Sequence, residues 1–369
     1  MTRRLLAALL LLAASRLPAE AALLNVRDYP SPAAAIEAAK DGDRIYFPSP
    51  GPYLAPPGGW KISKSLEIFG DGVGNGTRTS GSALVARAGA GNNVFFLDAS
   101  SQTLYNISFR DLFLVSPDTA SGDAIHAVIN DATHKIAGLR FDAVTCRGPF
   151  ANGIHIDGGA QQAILLVRIA DCEANSCAGN GLDIRNCTTT YVLGGFYHGC
   201  RHFGIYAENS FGIRLIGTAL EENQTAGTSS DYDAQLRLKL THAFTVIGCH
   251  FEDFSQAGRA AKTAISVENC RGGQISTSGF GNNGQGVSGS RGIFIQGGSQ
   301  NIEVGVNTWS MVDTTVSIRS SDASGCVVQP QNKYKTDARA AGSIAIPSAA
   351  ADRHVIYGDG QPGGKPGGP

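Results

Sequence analysis

A short alternation of apolar and polar residues recurs along the chain. It reads Gly-Ile-His-Ile-Asp at 153–157, Gly-Leu-Asp-Ile-Arg-Asn-Cys at 181–187 and Gly-Ile-Tyr-Ala-Glu-Asn-Ser at 204–210. It returns as Ala-Gln-Leu-Arg-Leu at 234–238, Ala-Ile-Ser-Val-Glu-Asn-Cys at 264–270 and Gly-Ile-Phe-Ile-Gln-Gly-Gly at 292–298. The copies start 28, 23, 30, 30 and 28 residues apart. Apolar residues fall on every second position, the spacing of a strand with one buried side. A strand unit at so regular an interval predicts a solenoid, in which each turn of chain buries its apolar side against the next.

A second set of strands lies between the first. It begins at Ile107, Leu139, Ile164, Ile213, Phe244, Gln274 and Ile302, so each coil holds at least two strands joined by bends. Asn186, Asn209 and Asn269 occupy equivalent places after the first strand. Asn tolerates a left-handed bend and can hydrogen-bond along a ladder of its own kind, which makes these three structural. Ser31-Pro32 followed by an Ala-rich run to Lys40 predicts a short helix with an N-cap and Pro in its first turn. Asp41-Gly42-Asp43 ends it, and Arg44 to Pro48 is a strand. An amphipathic helix there would cover the open end of the coil.

The expected organisation is a signal peptide at 1–21, an N-terminal cap at 22–60, a parallel β-helix at 61–330, a C-terminal cap at 331–357 and a disordered Gly/Pro-rich tail at 358–369. Arg3 and Arg4, the apolar run Leu5 to Ala14 and the small-x-small triplet Ala19-Glu20-Ala21 carry the signal-peptide reading. Cleavage after Ala21 removes three of the 30 basic and one of the 31 acidic residues, leaving a net charge near −3. That balance argues against nucleic acid as partner. The run is too short to span a bilayer comfortably, so no membrane insertion is expected after cleavage, and the mature chain should be secreted or periplasmic. The eight cysteines follow no zinc-site spacing. Cys146, Cys172 and Cys200 are 26 and 28 residues apart. They could stack and oxidise, or serve as buried apolar thiols.

These features together resemble the right-handed parallel β-helix superfamily of pectate lyases. The nearest branch is the one that opens with Asn-Val-x-Asp-Tyr, a helix with Ala-Ile-x-Ala-Ala and a Tyr-Phe-Pro strand. Here these are Asn25-Val-Arg-Asp-Tyr29, Ala35-Ile-Glu-Ala-Ala39 and Tyr46-Phe-Pro48. Ser65 to Gly72 looks like the next rung of that family, and the resemblance runs over residues 24–325. It implies an all-β, single-stranded right-handed parallel β-helix with a short N-terminal capping helix. For activity it implies a set of alternatives: lyases, glycoside hydrolases, epimerases, tailspike depolymerases and inactive members. The acidic Gly-Asp-Gly-x-Thr-Asp-Asp insertion of many relatives is absent.

Hand alignment of the second strands gives one column of Asp171, Gly199, Glu221, Glu252 and Gly281. The neighbouring column reads Cys172, Cys200, Glu222, Asp253 and Asn282. In that register Glu221 and Glu252 are one rung apart, about 4.8 Å. Such a pair should raise one carboxyl pKa and leave an acid beside a base. The separation is close to the roughly 5–5.5 Å of retaining glycosidases. Asp171 is the alternative base. Tyr197, His198, Arg201, His202, Glu222, His250 and Asp253 are candidate glycan-binding residues. The insertion Asn223 to Asp233 follows directly and would wall a groove. No cofactor is required for hydrolysis. A lyase acting on a uronic acid polymer would pair Ca²⁺, held by Glu221, Glu252 and Asp253, with Arg201, Arg237 or Lys239. The expected partner is an extended polysaccharide and the expected activity is cleavage of its glycosidic bonds. The alternative is a non-catalytic carbohydrate-binding or adhesion protein. The oligomeric state is left open.

Overall fold

The computed structural model describes residues 21–74, 81–117, 121–131, 133–224, 234–254, 263–282 and 289–310, and then 312, 314–319, 322–329, 332–333, 344–345 and 354–356. Residues 1–20 of the expected signal peptide, the expected tail at 358–369 and residues 225–233 of the insertion lie outside them. The described chain winds as a coil with three strand faces. On the first face eleven strands stack in chain order from Trp60–Ile62 to Ile344–Ala345. The second and third faces belong to one larger sheet, because Arg140–Arg147 runs on through both. Its first half pairs with Ile164–Ala170 and its second half with Glu173–Asn175. Further along, a corner separates them, as between Cys187–Leu193 and Phe196–His198. Pairing is parallel on all three faces.

The period-two pattern decides which side chains enter the coil. On the first face Ile154, Leu182, Ile205, Leu236, Ile265 and Ile293 follow one another in register, all essentially sealed from solvent. On the third face Phe251, Phe280 and Trp309 stack inward, with ring centroids 5.0 and 4.1 Å apart. The Asn ladder forms in part: Asn186 and Asn209 are on successive rungs, while Leu240 stands between Asn209 and Asn269. Asn186, Asn209 and Asn269 have φ of 52°, 46° and 52°. Asn209 Nδ2 donates to Asn186 Oδ1 at 2.6 Å, and Asn186 Nδ2 donates to Asp157 Oδ1 at 2.7 Å.

The expected helix spans Pro32–Ala38. The Ser31 hydroxyl accepts from the Ala34 amide, and Ala35 and Ile36 are buried. Lys64 Nζ reaches the other end and donates to the Glu37 and Ala39 carbonyls, each at 2.6 Å. Within the expected cap, Arg44–Phe47 pairs in parallel with Glu67–Gly70 of the coil. All eight cysteines are buried free thiols, and burial pushes Cys172 up to about 12. Cys146, Cys172 and Cys200 do not stack. The rung partner of Cys146 is Ala174, while Cys172 and Cys200 flank opposite ends of the third-face strands. No helix among the described residues is long and apolar enough to cross a membrane.

Candidate functional site

The third face carries the candidate site. Its strands are three residues long, so the central residue points into the coil and the two flanking residues point out. Glu221 ends the strand Ala219–Glu221 and Glu252 ends His250–Glu252. The two are paired in register. Their carboxylates and that of Asp253 offer oxygen atoms all within 4.8 Å of one another. Burial and the neighbouring charges of Glu252, Glu222 and Asp253 raise the pKa of Glu221, while His198 opposes them. His250 Nε2 lies 2.9 Å from Glu252 Oε2. One carboxyl is thus biased toward the acid form, and its neighbour has a hydrogen-bonding imidazole. Above them Gly281 continues the column. A side chain built on it would meet nothing within 4 Å, so the column opens directly over Glu252.

Below Glu221 the column is not the expected one. His198, not Gly199, is the rung partner of Glu221, and Asn175 lies under His198. Gly199 belongs to the bend beyond, where Ser176, Gly199, Glu222 and Asp253 repeat a left-handed φ of 61°, 62°, 49° and 51°. Asp171 is not brought to the site. It occupies the opposite corner, where its rung neighbour is Gly194, and the strand Glu173–Asn175 separates it from the column.

The glycan-binding candidates divide. His198 faces out, stacks on Phe196 at 4.1 Å and approaches Glu173 Oε1 at 3.4 Å. That contact helps hold the Glu173 carboxyl below its ordinary pKa. His250 is exposed beside Glu252, and Arg201 and His202 are exposed in the bend after His198. Glu222 is half-buried and Asp253 largely buried in the following bend. Tyr197 is withdrawn from the set. As the central residue of its strand it points into the core and is 1% exposed. Arg237 and Lys239 are not at this site either. They are on the first face, where Arg237 pairs with Glu268 and Lys239 with Glu208, each at 2.7 Å. Glu173, the first residue of its three-residue strand, joins the outward polar surface and is absent from the expected columns. A separate group on the first face, Asp123, His126 and His155, was also missed, although two Ile-His pairs one coil apart (125–126 and 154–155) signal it in the sequence.

A family model described as "Right handed beta helix region" matches residues 126–309. No curated protein sequence matches the chain. Among solved structures the chain is similar to DFA-IIIase from Arthrobacter chlorophenolicus A6 in complex with GF2. The TM-score is 0.63 at 15% identity, covering 94% of this chain and 100% of that one. The same enzyme in complex with DFA-III gives a TM-score of 0.59 at 17% identity, covering 91% and 88%. Its form without its lid gives 0.63 at 14% identity, covering 92% and 99%. Sequence period, stacked parallel faces and these similarities agree: the chain is a right-handed parallel β-helix protein of the pectate-lyase-like fold.

Proposed function

We propose that this protein is an exported enzyme that cleaves glycosidic bonds of an extended glycan, with Glu221 as acid and Glu252 as nucleophile or base. The observation that carries the reading is the in-register pairing of the two glutamates, with the pKa of one of them raised. A carboxyl that keeps its proton can protonate a leaving oxygen, while a carboxylate one rung away attacks or activates water. Asp171, four residues before Asn175 and beyond a corner, has no part in this. The outward row of Asn175, His198, Glu221, Glu252 and Gly281 runs along the coil axis, which suits a linear chain lying across several rungs. The DFA-IIIase structures of the same fold hold GF2 and DFA-III, which supports a glycan as the ligand class.

A second reading, elimination at a uronic acid, draws on the oxygen atoms of Glu221, Glu252 and Asp253. Three hard donors so close suit Ca²⁺, which would neutralise a uronate carboxylate. Arg201 is then the nearest exposed base candidate. A polysaccharide panel with the purified chain separates the readings. New reducing ends without absorbance near 235 nm, indifferent to chelator, support the glutamate pair. Reducing ends together with that absorbance and calcium dependence support elimination. Glycan binding without turnover removes catalysis and leaves the adhesion alternative.

A further inference from the structure

The first face carries a second cluster, independent of the glutamate pair. Asp123 precedes the strand Ile125–Val128 and is 5% exposed. Its Oδ2 lies 2.7 Å from His126 Nδ1 and 3.0 Å from His155 Nδ1. His126 and His155 are rung partners, so the coil itself sets one imidazole over the other, with centroids 5.2 Å apart and rings at 82°. Two ring nitrogens and one carboxylate oxygen therefore converge on one small volume. A tetrahedral ion with bonds of about 2.0–2.1 Å sets its donors roughly 3.3 Å apart; here the carboxylate oxygen is 2.7 and 3.0 Å from the two nitrogens, and all three donor atoms lie within 4.8 Å of one another.

The surrounding groups hold the carboxylate in place and leave Oδ2 to the imidazoles. Asn152 Nδ2 donates to the other oxygen, Oδ1, at 2.9 Å. Asn93 Oδ1 accepts from the Asp123 amide at 2.7 Å, and Asn152 Oδ1 accepts from the Asn180 amide at 3.0 Å. Supports of this kind orient the side chains that ligate a metal. Asp183 is the next rung partner of His155, and its carboxylate is taken up by Arg185 at 2.7 and 2.9 Å. Without an ion, two Nδ1–H groups must share one oxygen. A single dication would meet all three lone pairs, each neutral ring then carrying its proton on Nε2 instead of Nδ1.

We propose that Asp123, His126 and His155 bind a divalent transition-metal ion of the zinc type. Imidazole nitrogen with one carboxylate selects zinc, cobalt or nickel over calcium, in contrast to the all-oxygen donor set around Glu221. Three protein ligands leave a fourth position open, and His126 also lines a cavity of about 230 Å³ with Phe96, Asp98, Val128 and Asn130. Two rungs, about 10 Å, separate His155 from Tyr206, the first-face residue of the coil that carries Glu221.

The test uses the full chain with its purification tag removed, stripped with chelator and titrated with Zn²⁺ or Co²⁺ alone. The expected result is one equivalent bound, a Co²⁺ visible spectrum with d–d bands, and a thermal midpoint raised by Zn²⁺ but not by Ca²⁺. His126→Gln, at a partly exposed position, should weaken Zn²⁺ binding at least tenfold while circular dichroism stays unchanged. Asn152→Ala, which removes the donor to the far carboxylate oxygen and touches neither imidazole, should weaken it about 10–100-fold. The double variant Glu221→Gln/Glu252→Gln should bind as wild type. No uptake by the wild-type chain, or uptake that His126→Gln leaves intact, overturns the proposal.

Discussion

At the residue scale the proposed cleavage turns on Glu221. Its raised pKa means that ionisation costs more in the folded chain than in the unfolded one. The sign follows. At neutral pH the charged form destabilises the fold, and the penalty fades as pH falls through the folded pKa toward the ordinary value of 4.5. Glu221→Gln should therefore lower turnover about 10²–10⁴-fold while raising the thermal midpoint at pH 7, with the difference from wild type gone near pH 4. Melting curves at the two pH values check this, and a midpoint that falls at pH 7 would sink the like-charge account. The Glu221–Glu252 pairing was legible in the sequence because the strand endings Leu-Glu and Phe-Glu are the same across one coil. Asp171 and Gly199 fall elsewhere because the expected columns set Cys172 level with Cys200, and these flank opposite ends of the third-face strands. Both corners of the third face accept a small buried thiol, so cysteine does not say which corner it marks. Tyr197 was misread for a related reason: only the length of a three-residue strand decides whether its middle residue faces in or out.

At the element scale the corners and the flat outward columns do different work. Asn209 holds a left-handed φ of 46° and donates to Asn186. Asn209→Gly removes the hydrogen bond but frees the backbone, whereas Asn209→Ala removes the bond and adds strain. The Ala variant should lose about 1–3 kcal/mol and the Gly variant measurably less. Chemical denaturation of the pair decides this, since equal losses would mean that backbone strain contributes nothing at this corner. The outward column behaves in the opposite way. Gly281 is in a strand, with open space where a side chain would go. Gly281→Phe should fold within about 0.5 kcal/mol of wild type yet reduce kcat/KM at least tenfold, because the ring would fill the space over Glu252. Full activity in a well-folded Gly281→Phe would show that the glycan does not lie along this column. The strands themselves were legible from their period. The split of one coil edge into a second and a third face was not, because three-residue strands are too short to show an alternation.

At the scale of the whole molecule, each coil touches only its neighbours. Stability is then a sum of local terms plus the interfaces between successive coils, and damage at one end should stay there. The N-terminal end is closed by the helix Pro32–Ala38, whose Ile36 packs into the continuous core. Lys64, from the first full coil, pins the last turn of that helix through the Glu37 and Ala39 carbonyls. A cation there satisfies carbonyls that the helix leaves free and opposes its dipole. Lys64→Ala should cost about 1–3 kcal/mol at that end, because these are charge-assisted bonds to otherwise orphaned acceptors. Hydrogen exchange should then show faster opening of residues 23–70 with unchanged protection of 187–221, and glycan cleavage at 25 °C should persist. In a protein with one closed core the same loss would be shared by every segment. Uniformly faster exchange after Lys64→Ala would mean that the coils unfold as a single unit and that the cap guards the distant site as well as its own end.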